Sequence, residues 1–159
     1  MKQNFRIFTI GYIILLGFII GSALYAGAVV APVIFHSEIY LGSNILSQYQ
    51  EGLIMSANFY KLGIFIDISI ISIFIYEGYK YKSFERDNIT MVATFLAISS
   101  GLLFSHYYMP DILLMLQGGE EMTKSISFIN THKGSEIDLK LFVVAVFTIL
   151  IRNLQKALK

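Results

Sequence analysis

Four long apolar runs, at about residues 7–35, 53–76, 89–108 and 139–151, are each bounded by charge. About 20 residues of helix cross the roughly 30 Å hydrocarbon core of a bilayer at 1.5 Å per residue. The spacing therefore predicts an all-α integral membrane protein built as a four-transmembrane-helix bundle. Residues 1–159 form a single transmembrane domain with spans at about 7–35, 53–77, 88–108 and 136–156. Only 14% of the 159 residues are charged, whereas a soluble domain carries about 25%. The apolar excess sits in the runs themselves, so it reflects lipid as solvent. Lys2 and Arg6 followed by an apolar run, with Ala26-Gly27-Ala28 as an A-x-A triplet, imitate a signal peptide. Hydrophobicity continues through the triplet to Phe35, so a retained first helix is expected.

Lys and Arg in short loops set orientation, and acids hardly count. Lys2 and Arg6 precede the first run, and residues 36–52 contain neither Lys nor Arg. Lys80, Lys82 and Arg86 follow the second run. Lys124 and Lys133 are outnumbered by Asp111, Glu120, Glu121, Glu136 and Asp138 in the third loop, and Arg152, Lys156 and Lys159 close the chain. The alternation predicts a multi-pass protein of the cell inner (cytoplasmic) membrane with both termini cytoplasmic. Tyr76, Tyr79 and Tyr81 fit an inner aromatic belt, Tyr107 and Tyr108 an outer one. Heavy use of Ile, Phe, Tyr and Lys without Trp suggests an AT-rich bacterial genome. A net charge of +1 gives nucleic-acid binding no support, and zero Cys excludes disulfides and thiolate chemistry.

The last outer loop has structure of its own. Pro110 suits a first helical position and Asp111 a helix start, while Gly118-Gly119 would stop that turn. Residues 120–130 form a second amphipathic stretch, so short interfacial helices are expected there. Residues 141–151 make only about 16 Å of helix, so Lys140 and Arg152 must snorkel for the fourth run to span. The first helix has ladders of small residues, Gly17, Gly21, Ala28 and Ala23, Gly27, Ala31. The third has Thr90, Thr94, Ala97, Gly101 and Ser105. Close packing drives helix association in lipid, so these two faces are natural partners, with a dimer interface as the other reading. Pro32 should kink the first helix and free a backbone carbonyl.

Asp67 lies near the middle of the second span, where an acid costs roughly 3 kcal/mol on insertion scales. Asn58, Lys61, Phe65, Ser69 and Ser72 form a stripe almost opposite it. The intramembrane polar set Asp67, Lys61 and Asn58 is therefore either structural or part of a proton- or cation-coupled pathway. His36, His106 and His132 end or precede spans on the same side. With Met109, and with Met55 and Met115 close in depth, they suggest a metal ion or haem site at the outer (periplasmic) face. The alternatives are a non-catalytic accessory or assembly subunit of a membrane complex, or a small ion- or proton-coupled transporter using Asp67. The partners implied are the lipid bilayer and a homo-oligomer or larger membrane complex. No nucleophile–base pair, phosphate loop or paired-carboxylate motif supports an enzyme.

Gly27-Ala28-Val29-Val30-Ala31-Pro32-Val33-Ile34-Phe35 resembles the signature segment of the DUF4149 (transmembrane-protein-205-like) family. Glu51-Gly52-Leu53-Ile54 is similar to its second segment and His132-x-x-Ser135 to its third. Asp138 stands where that family commonly has Asn. The resemblance implies a small four-helix membrane protein and marks Gly27, Pro32, Phe35, Ser135 and Asp138. Ser135 and Asp138 also read as a capping box opening the last helix, after Gly134.

Overall fold

The computed structural model describes residues 3–83 and 87–158, and every regular element among them is helical. Lys2, Arg86 and Lys159, three of the cations that set the expected orientation, lie outside the described residues. The first long helix is α1 (Gln3–Tyr25), a π-turn (Ala26–Val30) and α2 (Ala31–Phe35), without a break. The kink expected at Pro32 takes the form of that π-turn, in which Ala31 N–H donates to the Ala26 carbonyl. Proline has no N–H, and its ring collides with the carbonyl four residues back. A widened turn just before it accommodates both defects.

The chain's other proline has the same setting. α5 (Asn88–Leu103), a π-turn (Phe104–Tyr108) and α6 (Met109–Gln117) form one continuous helix, and Met109 N–H donates to the Phe104 carbonyl. So Pro110 does not open a separate helix, as the sequence had suggested; the π-turn carries the third long helix past it. Gly118 and Gly119 stop it as read, Gly119 at φ 85°.

The short α3 (Ser37–Leu41) leads to α4 (Gln48–Lys82), which opens on a reciprocal cap. Ser47 Oγ accepts from Gln50 N–H, and Gln50 Oε1 accepts from Ser47 N–H. After α7 (Glu120–Thr123), the last helix α8 (Ile126–Ala157) starts at Ser125, whose Oγ accepts from Phe128 N–H. Ser135 and Asp138 are therefore inside α8 and cap nothing. Gly134 is not a break either: a Cβ there would stand 2.8 Å from the Tyr108 ring, so this glycine lets α8 approach the third long helix.

Among the described residues, three helices are long and apolar enough to cross a membrane: Arg6–Phe35, Gln48–Lys82 and Asn88–Gln117. α8 has 32 residues, but Lys133, Glu136, Asp138, Lys140 and Arg152 leave its apolar stretch short.

Both α1 and α5 pack on α4 and α8. Leu16, Ile19, Ile66, Ile73, Phe142, Val146 and Ile149 fill the centre. The expected pairing of small-residue faces between the first and third helices is not what forms. Gly17 and Gly21 face outward and Ala28 lines a cavity, while Ala97 is buried and Gly101 sits between α4 and α8. Gly101 is where the close approach occurs.

At the basic end of the bundle, where α4 and α8 finish, a polar cluster joins three helices. Tyr12 Oη donates to Glu77 Oε1 at 3.1 Å, and Asn153 Nδ2 donates to the same oxygen at 2.7 Å. Lys80 Nζ donates to Asn153 Oδ1 at 2.7 Å and lies 3.5 Å from Glu77 Oε2. Tyr76 stacks on Tyr12 and shares a hydrogen bond with Thr9. Nothing in the local sequence announced that Glu77 and Lys80 would be buried.

Asp87 ties α5 to α8 at the same end. It caps α5 through Ile89 N–H and accepts from Thr90, from Arg152 Nε at 2.9 Å and from Arg152 Nη2 at 2.8 Å. Burial opposes its charge, but the Arg152 guanidinium, the Thr90 hydroxyl and Lys156 hold its carboxyl well below the usual carboxylate range. A depressed folded pKa stabilises above the unfolded value, and that contribution is lost as pH falls through the folded one. Asp87→Ala is expected to lose about 2 kcal/mol at neutral pH, from the cap and the charge-assisted bonds. The gap in melting temperature from the native protein should close as pH drops below about 4. An acid-insensitive gap would show that Asp87 acts without its charge.

Candidate functional site

A cavity of about 850 Å³ lies at the opposite end of the bundle. Its origin is in the first helix. α1 packs on α8, but beyond the π-turn at Ala26–Val30 the chain keeps α4 as its neighbour and no longer packs closely on α8. The gap between α2 and the first half of α8 is the cavity. Met55 and Phe59 of α4, Phe104 and Met109 of the third helix, and Leu139 and Val143 of α8 form apolar walls. Met55 and Met109 are fully enclosed, and unbranched thioethers adapt to irregular contents. The rim is polar: Gln48 and Tyr49 on one side, Lys124, His132, Lys133 and Lys140 on the other. Tyr49 Oη donates to the Leu116 carbonyl at 2.7 Å, holding the start of α4 against α6. Lys124 pairs with Glu120 and Glu121, and Lys140 with Glu136.

Several residues singled out by the sequence meet here. Gly27, Phe35, His132, Ser135 and Met109 line the cavity, and Gly52 and Ala31 join them. Pro32 sits beside it and sets the turn that opens it. Ser135 is buried, its hydroxyl donating to the His132 carbonyl at 2.7 Å. Glu51 is buried beneath α3 and accepts from Ser37.

The three histidines do not come together. His36 faces Glu38 at 3.6 Å, His106 faces Asp67 at 3.3 Å, and His132 stacks on Phe128 with centroids 6.1 Å apart. Among the described residues, no group of three or more His, Cys, Asp or Glu is placed to hold a metal ion. Met109 is separated in role from His106: it points into the cavity wall, whereas His106 is on an outer face.

Asp67 instead has neighbours that the linear pattern did not show. Ser105 Oγ donates to Asp67 Oδ1 at 2.7 Å, and His106 Nε2 lies 3.3 Å from the same oxygen. The π-turn Phe104–Tyr108 puts both side chains on the α4 side. Lys61 is exposed on another face of α4. Asn58 Nδ2 and Asp138 Oδ2 are buried with no hydrogen-bond partner among the described residues. Gly101 meets Phe142 and Gly134 meets Tyr108, so the antiparallel register puts Asp138 level with Phe104 and Ser105.

No curated protein and no solved structure matches the chain significantly. The family described as "Domain of unknown function (DUF4149)" matches residues 14–120, which contain both the Gly27 to Phe35 segment and the Glu51-Gly52 helix opening. His132, Ser135 and all of α8 lie beyond the matched residues. An apolar cleft opened by a proline-linked π-turn, in a bundle with three helices fit to cross a membrane, is thus the setting of the matched segment, and the chain belongs to the DUF4149 family.

Proposed function

We propose that this protein is a four-span membrane protein of the cytoplasmic membrane that binds an amphipathic, membrane-soluble ligand in its outer cleft. The observation that carries the reading is the cavity itself: about 850 Å³, apolar in its walls and polar on one rim. Ligand sites run to about 300–1,000 Å³, mostly apolar with a few placed polar groups. A lipid tail or a flat, haem-like ring suits such walls, and a polar headgroup suits the Gln48, Tyr49 and Lys133 rim. His132 gives a ring ligand one imidazole. α8 is the fourth span, with Lys140 and Arg152 snorkelling to opposite surfaces. Both termini are then cytoplasmic, and the cleft faces the outer leaflet.

Two measurements test this. Single cysteines at Ser83 and Ser125, in a chain with no native Cys, should label from opposite sides of the membrane; labelling from one side refutes the topology. Native mass spectrometry of protein released in mild detergent should retain an amphiphile, its mass distinguishing lipid from tetrapyrrole. Gly27→Trp should reduce that retention about tenfold, because an indole filling a mostly apolar site leaves the ligand no surface to bury. A Cβ at Gly27 meets nothing within 4 Å, so the ring has room to enter without displacing the backbone. Equal retention in both proteins would refute the cleft as the binding site.

A further inference from the structure

The α4/α5 face around Asp67 is distinct from the cleft, whose lining includes neither Asp67 nor His106. Asp67 is 15 residues from Lys82 and 19 from Gln48 (82 − 67 and 67 − 48), so it lies roughly 22 and 28 Å from the two ends of α4. That is the middle of a span. Yet its side chain is 35% exposed, and that of His106 is 64% exposed. Around them the surface is apolar. Ile64 and Ile71 lie one turn either side of Asp67, and Leu102 one turn from His106; all three are exposed. An ionisable pair facing hydrocarbon is expensive, and such groups face protein or water instead.

The pair is also incomplete. Asp67 Oδ1 takes both neighbours, while among the described residues neither Asp67 Oδ2 nor His106 Nδ1 makes a hydrogen bond. One face thus carries a spare acceptor and a spare ring nitrogen side by side. In an isologous contact, the patch on one copy meets the same patch on the other. We infer that the α4/α5 face, centred on Asp67 and His106, is the interface with a second copy of this chain, the carboxylate of each copy taking the imidazole of the other. The small-residue ladder Gly17, Gly21 and Ala28 carries no polar group of this kind and is not part of it.

Absence of native cysteine makes the test direct. Ile64→Cys and Leu102→Cys, each alone, are oxidised in native membranes beside Ile14→Cys on the exposed side of α1. The expected result is a band at twice the monomer mass from the first two and none from the third. His106→Leu, at an exposed position that leaves the monomer core intact, should lower the cross-linked fraction of Ile64→Cys about tenfold through lost association. Asp67→Leu should do the same, with melting temperature reporting whether its monomer is folded. Cross-linking no stronger than at Ile14→Cys overturns the proposal. So does a cross-link to a protein of another mass, or ready labelling of Ile64→Cys by a membrane-impermeant maleimide, which would mean that water covers the face. Unchanged cross-linking in the His106→Leu background overturns it as well.

Discussion

Lys80→Met is expected to destabilise the protein by about 3–5 kcal/mol, the cost of leaving a buried charge without its partner. Lys80 is 4% exposed and Glu77 7%, so water does little to replace the missing ammonium. Among the described residues Glu77 would keep Tyr12 and Asn153, each donating a single bond, while Asn153 Oδ1 would lose its donor at 2.7 Å. The damage crosses three helices, because Tyr12 belongs to α1, Glu77 to α4 and Asn153 to α8. Melting in detergent, followed by size exclusion, reads the effect. The control is Lys82→Met, an exposed cation on the same turn, expected to stay within about 0.5 kcal/mol. Adding Glu77→Leu to Lys80→Met removes both ions and should recover part of the loss. A Lys80→Met protein that melts like the native one would show that the cluster is solvated.

The second large effect is expected at Gly101. A Cβ there would stand 2.7 Å from Ile70 Cδ1, 3.0 Å from the Phe142 ring and 3.1 Å from Ile66 Cγ2. The isoleucine tips can turn aside, but Phe142 is among the most buried side chains in the molecule. Gly101→Ala should therefore cost about 1–3 kcal/mol by overpacking. Gly101→Leu should separate α5 from both neighbours and abolish the monodisperse species. Gly17→Ala and Gly21→Ala make the contrast. Each Cβ would meet nothing within 4 Å, so helix propensity alone predicts a gain of up to about 1 kcal/mol. Loss of stability at Gly17 or Gly21 would place that ladder in an interface absent from the monomer.

The long helices, the stop at Gly118-Gly119 and the disturbance at Pro32 follow from local chemistry: apolar run length, glycine freedom and the missing proline N–H. Ser135 and Asp138 misled because Ser followed by an acid three residues on imitates a helix start. Gly134 looked like a break, although it serves the packing of Tyr108. All three histidines fall near ends of apolar runs, but a run end fixes neither depth nor azimuth: His106 is beside Asp67 at the middle of α4, while His36 lies with Glu51 near its start. His106 turned to Asp67, His132 to Phe128 and His36 to Glu38.

The sequence by itself determined the helical class, the long apolar helices, the disturbance at Pro32 and the stop at Gly118-Gly119, since these depend on neighbours a few residues away; of the four spans it predicts, three helices among the described residues are long and apolar enough to cross a membrane. Only the tertiary structure decided which helices touch, that Glu77 and Lys80 are buried, that Asp67 meets Ser105 and His106, and that a cavity opens where the first helix leaves α8. The physical reason is that lipid gives the outer surface of a helix almost the same apolar composition as its packed face. Hydrophobic periodicity, which orients helices in water, therefore carries little information here, and the facing choice falls to shape and to a few polar pairs.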